Sequence, residues 1–178
     1  TWEHQALVRA RPVAGDKVLA EAFNAVRQEI LCLPRDLKKL KHDVVEMREK
    51  MRAQLTPKDT ETEENPVFDL KHGRGAIVDI EFIVQYALLR WAHEHPELAQ
   101  WTDNIRQLEA LQWAGLLDAP LVESLTSAYK SFREALHRLN LQQRSGNAPD
   151  AEYVGSLTDL IKVWKIAMPV AENNKAAP

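Results

Sequence analysis

Cysteine is almost absent from this 178-residue chain. Cys32 stands alone, which excludes an internal disulfide and any zinc or iron–sulfur site built from several thiolates. Long apolar runs are missing as well, and none reaches the roughly 18–20 residues that a membrane-spanning helix needs. With only 6 Gly and 9 Pro, collagen-like and low-complexity architectures are ruled out. Neither sign of charge dominates. The 23 Lys and Arg against 26 Asp and Glu leave −3, so no bulk basic field points to nucleic acid or an anionic membrane. The sequence also lacks a GxxxxGK[ST] phosphate loop, HExxH, GxSxG and an Asp-x-Asp metal pair. It starts Thr1-Trp2-Glu3, with no initiator Met, basic n-region or apolar h-region. A cytoplasmic chain cut from a longer polypeptide is the expectation.

What is present is helix-forming. With 45% hydrophobic and 28% charged residues, the chain can bury a core. Residues 1–16 read as a short helix punctuated by Pro12 and Gly15-Asp16. Phe23, Val26, Ile30, Leu33, Leu37, Leu40, Val44, Met47 and Met51 follow at alternating intervals of 3 and 4, the pattern of a packed helical seam. Pro34 interrupts it, which predicts two helices, 18–33 and 35–54, with one kinked helix as the alternative. Residues 55–68 carry two prolines and a local charge of −3, the signature of a solvated loop with at most a short extended piece at 66–70. From Ile77 to Ala92, twelve of sixteen residues are apolar on nearly every side, which predicts a central helix. Further helices are predicted over 103–116, over 118–142 with Asp118 as cap, and over 151–167, before the polar tail 169–178. The fold class is all-α, a helical bundle of about six or seven helices.

One segment, KHGRGAIVDIEF at 71–82, stands out chemically. Lys71 and Arg74 interleave with Gly73 and Gly75 directly before a helix N-terminus, an arrangement that suits a phosphate or another domain's carboxylate. The structural alternative is a glycine-rich turn whose basic residues pair with neighbouring acids. Asp79 and Glu81 lie about 200° apart on a helix, so they do not converge as an acid/base pair. In so apolar a helix they are candidate buried acids that need cationic partners, and Lys71, Arg74, Arg9 and Arg11 are the candidates. Trp2, Glu3, Gln5, Arg9 and Arg11 form a second polar cluster, read either as surface pairing of Gln5 with Arg9 or as ligand contact. His93 and His95 are two apart and cannot chelate one ion unaided. No catalytic residue and no metal ligand is assigned.

Four segments resemble a known family: WEHQALVRARPVAGD at 2–16, DVVEMREKMR at 43–52, FDLKHGRGAIVDIEF at 68–82 and WTDNIRQLEAL at 101–111. Together they are similar to the bifunctional glutamine synthetase adenylyltransferase/adenylyl-removing enzymes. In that family each half is a nucleotidyltransferase domain followed by a helical domain. One half removes AMP from glutamine synthetase and the other attaches it. The forms IVDIEF and WTDNIRQLE look like the adenylylating half.

The resemblance implies that 1–16 end a nucleotidyltransferase domain and that 17–168 form its helical partner, with 169–178 the tail of the whole enzyme. ATP and Mg2+ serve the intact enzyme, through carboxylates upstream of Thr1, and this chain alone is expected to hold neither. Implied partners are the upstream domain, glutamine synthetase, and PII signal protein or glutamine as regulators, with no nucleic acid and no membrane. Lys71, Gly73, Arg74, Gly75, Arg9 and Arg11 become phosphate or domain-interface candidates. Gly75-Ala76 departs from the expected Gly-Gly pair. A regulatory module that receives PII or glutamine is the rival reading. The helical part of the related PII uridylyltransferase group is a third, against which the form at 101–111 speaks.

Overall fold

The computed structural model describes residues 1–55, 61–62 and 65–149. Within them the chain runs through α1 (Trp2–Arg9), α2 (Lys17–Leu31), α3 (Leu37–Leu55), α4 (Ile77–Trp91), α5 (Asn104–Trp113) and α6 (Ala119–Leu141), with a 3-10 turn at Pro96–Gln100 between α4 and α5. The all-α reading holds. The predicted helix 151–167 and the tail lie outside the described residues. No helix among the described residues is long and apolar enough to cross a membrane.

Side-chain caps set several boundaries. Asp16 Oδ1 accepts from the Val18 and Leu19 amides at the start of α2, Asp103 Oδ1 from Arg106 N at 3.0 Å, and Asp118 Oδ1 from Leu121 N at 2.9 Å. Each cap satisfies N–H groups that the first turn leaves unpaired and contributes about 1 kcal/mol. Pro34 falls between α2 and α3, so the two-helix reading is correct and the kinked single helix is not. Asp36 Oδ1, which accepts from Lys39 N, starts the second of them.

Helix α4 is the axis. Twelve of its fifteen residues are buried, and it packs against α1, α3, α5 and α6. Helix α6 turns Val122, Leu125, Tyr129 and Phe132, spaced by 3, 4 and 3 residues, inward. Three short strands, β1 (Glu61–Thr62), β2 (Asn65–Asp69) and β3 (Asn147–Pro149), pair antiparallel, so the chain leaving α6 is tied to the approach to α4. Strand β2 is the extended piece anticipated near 66–70.

The seam from Phe23 to Met51 needs correction in its first half. Leu40 and Val44 are buried, with Met47 and Met51 packed against the core, but Phe23, Val26, Leu33 and Leu37 are exposed. Helix α2 buries Arg27 and Leu31 instead, a stripe about a quarter turn away. The reason lies in Arg27. Its guanidinium donates to the carbonyls of Leu7 (2.8 Å), Val8 (2.7 Å), Trp101 (3.3 Å) and Ala99, which turns that side of the helix inward. Burial lowers the pKa of this guanidinium below its ordinary value.

Candidate functional site

The singled-out residues separate into two places. The first is the turn between β2 and α4. Asp69 Oδ1 accepts from the amides of Lys71 (2.8 Å) and His72 (2.9 Å), and its carbonyl accepts from Gly73 N at 3.0 Å. Gly75 N donates to Asp79 Oδ2 at 2.7 Å. These backbone amides are therefore spent on the turn itself, not offered to a ligand. The glycines have local causes as well. A Cβ at Gly73 would stand 2.6 Å from the Asp69 carbonyl and from the Phe68 ring, and Gly75 adopts φ +79°, which L side chains rarely take. What the turn presents outward is Lys71 and Arg74, both exposed and without an ion pair among the described residues.

Beneath the turn, Asp79 is buried and meets Arg48 Nε at 2.5 Å and Arg52 Nη2 at 3.0 Å. Arg48 Nη2 also donates to the His72 carbonyl at 2.8 Å, so one guanidinium joins α3, the turn and α4. Burial lowers the pKa of Arg48, and the adjacent Asp79 charge works against that shift. Asp79 is thus a buried acid as anticipated, but its partners are not among the four cations considered. Arg48 and Arg52 were missed although the signal was present, since they continue the buried stripe of Leu40 and Val44 at intervals of four.

Two residues along α4, Glu81 faces the other way and is only partly buried. It pairs with Arg9 Nη1 at 2.7 Å, one of the expected partners, and accepts from the Tyr129 hydroxyl at 3.1 Å. Arg133 Nη1 in turn donates to that hydroxyl at 3.2 Å, a bond that raises the Arg133 pKa. Here the second place opens, a cleft of about 510 Å³ between the end of α1, the start of α5 and the middle of α6. Arg9, Arg11, Lys130 and Arg133 line it against one carboxylate, Asp103. Asn104 also lines it, is 3% exposed, and has neither amide atom in a hydrogen bond among the described residues.

Arg27 and Gln107 hold the frame of the cleft. Gln107 Nε2 donates to the carbonyls of Val8 (3.2 Å) and Trp101 (2.9 Å), fixing the end of α1 beside the start of α5. Gln5, read as a surface partner of Arg9, is buried and donates to Gln85 Oε1 at 3.0 Å. Nothing in its i,i+4 spacing announced that bond, which depends on α4 lying alongside. His93 and His95 each sit beside a glutamate, Glu94 and Glu97. Among the described residues no three His, Cys, Asp or Glu side chains converge as metal ligands, and the Asp79 oxygens are already engaged.

The fold and its two basic constellations define a class: an all-helical module with charge concentrated on one turn and in one cleft. A family sequence model described as GlnD PII-uridylyltransferase matches residues 45–148, and the chain belongs to that family. It is also 48% identical over 172 residues to the bifunctional glutamine synthetase adenylyltransferase/adenylyl-removing enzyme of Pseudomonas aeruginosa, 93% of this chain and 18% of that protein. The corresponding enzyme of Nitrosococcus oceani is 49% identical over 164 residues, 92% of this chain and 16% of that protein. The resemblance carried by the four segments therefore holds along nearly the whole chain. The chain spans less than a fifth of the length of these relatives.

Proposed function

We propose that this chain is the helical C-terminal module of the adenylylating half of an enzyme that transfers AMP from ATP to a tyrosine of glutamine synthetase. In that transfer the tyrosine oxygen bonds to the α-phosphorus, the bond from the α-phosphorus to the bridging oxygen breaks, and pyrophosphate leaves. The tyrosine proton passes to a base or to solvent. Among the described residues of this chain no three His, Cys, Asp or Glu side chains converge. Its own contribution is positional and electrostatic. The carrying observation is that Lys71 and Arg74 are exposed, and without an ion pair among the described residues, on a turn anchored by Asp69 at one end and by Asp79 at the other. Cations carried on a backbone held in this way stabilise charge that builds on phosphoryl oxygens. The likeness over more than nine-tenths of the chain to enzymes named for this activity supports the same reading.

The test is transfer of labelled AMP to glutamine synthetase by the 178-residue chain, alone and mixed with the region that precedes the matched segment in such a relative. Silence alone and activity on mixing are expected, with Lys71→Ala/Arg74→Ala lowering the mixed activity by about 10²-fold. Full activity of the preceding region by itself would remove the catalytic role. It would favour the second reading, a module that receives PII or glutamine, for which the exposed apolar side chains of α2 supply a surface.

A further inference from the structure

We infer that the anchoring of the 71–75 turn by Arg48 from α3 and by Asp69 from β2 serves AMP transfer itself. The two anchors are positioning residues: they hold the backbone that carries Lys71 and Arg74, and neither touches substrate. The inference rests on the function proposed above for this chain.

Three observations carry it. The first is where the bonds go. Arg48 Nη2 donates to the His72 carbonyl at 2.8 Å and lies 3.5 Å from that of Gly73, the two residues between Lys71 and Arg74. The His72 carbonyl has no other donor among the described residues. Asp69 Oδ1 takes the Lys71 and His72 amides, so the same short stretch is held by a cation at a carbonyl and by an anion at two amides. The second is cost. Arg48 is fully buried, and its Nη1 makes no hydrogen bond among the described residues, a loss of about 1–3 kcal/mol. A buried ion pair gains little over well-packed apolar side chains. Leu40 and Val44 precede Arg48 on one buried stripe, and a further apolar side chain, with another in place of Asp79, would cover α4 as well. What an apolar side chain cannot do is hold a carbonyl of the turn. The third is the contrast between the backbone and what it carries. The Lys71 carbonyl accepts from Val78 N at 3.1 Å and the Gly73 carbonyl from Ala76 N at 3.2 Å, while the Lys71 and Arg74 side chains are exposed and have no ion pair among the described residues. Holding the backbone removes part of the freedom that each cation would otherwise lose on meeting a phosphoryl oxygen.

The decisive variant is Arg48→Lys. It keeps a positive charge beside Asp79, but the ammonium ends one bond short of the nitrogen that meets the His72 carbonyl. The assay is transfer of labelled AMP to glutamine synthetase by the 178-residue chain mixed with the region that precedes the matched segment in a relative, at a temperature where thermal unfolding shows the variant folded. Arg48→Lys is expected to lower kcat about tenfold and to leave the KM for ATP within about twofold. In a Lys71→Ala/Arg74→Ala background the same change is expected to have no further effect, because the cations it positions are gone. Should Arg48→Lys fail to fold, Asp69→Ala releases the Lys71 and His72 amides at the rim of the turn, and the same pair of results is expected of it. A fall of equal size in both backgrounds makes the anchors structural and overturns the inference. Unchanged kcat in a folded variant overturns it as well, and leaves the proposed function standing. Silence of the unaltered mixture removes that function and the inference with it.

Discussion

Arg48 has no solvent exposure and contacts α4 and the 71–75 turn at once. A buried ion pair gains little over a well-packed apolar pair, but losing one partner strands the other charge, at about 3–5 kcal/mol. Arg48→Met is therefore expected to cost about 3–5 kcal/mol in urea unfolding. A loss below about 1 kcal/mol would mean that Arg52 alone satisfies Asp79 and that Arg48 is not what holds the turn. At this scale the sequence disclosed the need but not the answer. An acid in so apolar a helix had to be buried and paired. Its partner lay 31 residues earlier on a different helix, in contact only after folding. The glycines show the same limit. Gly73 and Gly75 fit a phosphate cradle by spacing, whereas the Phe68 ring and a positive φ account for them in the fold.

Helix α2 shows how an element can be legible in kind and wrong in orientation. Intervals of 3 and 4 establish that Phe23, Val26 and Ile30 share one stripe, but they do not say what the stripe touches. The side that turns inward carries Arg27, a residue that apolar patterning cannot count as core, because its partners are backbone carbonyls from other elements. On α4 and α6 pattern and packing coincide, since no buried cation competes with the apolar stripe of α6 and α4 is apolar nearly all round. A pair of substitutions distinguishes the two faces of α2. Val26, 53% exposed, is expected to tolerate Val26→Glu within about 0.5 kcal/mol, while Leu31→Ala, at a fully buried position, is expected to cost about 2–5 kcal/mol. Comparable losses at both positions would restore the seam first read from spacing.

For the molecule as a whole, the question is how firmly residues 1–16 belong to the bundle, since the basic cleft exists only where the end of α1 meets α5 and α6. Helix α1 has eight residues, too few to persist on its own. Its attachment is mostly polar: Gln5 to Gln85, Arg9 to Glu81, and the Leu7 and Val8 carbonyls to Arg27 and Gln107, around one fully buried apolar residue, Val8. Arg27 is the member that also reaches Ala99 and Trp101, so it joins α1 to the approach to α5. Arg27→Met keeps the apolar stem and removes the guanidinium, so the Ala99 carbonyl loses its donor, at about 1–3 kcal/mol, and the carbonyls of Leu7, Val8 and Trp101 are left with Ala10 N or Gln107 Nε2 alone. The loss is expected to be regional, because α4 draws its burial from α3, α5 and α6 as well. In native-state hydrogen exchange, the amides of α1 should lose protection by about 10²-fold or more while those of α4 keep theirs. A uniform fall across both helices would instead make α1 part of a single cooperative unit, with Arg27 stabilising the whole bundle and not its junction with the cleft.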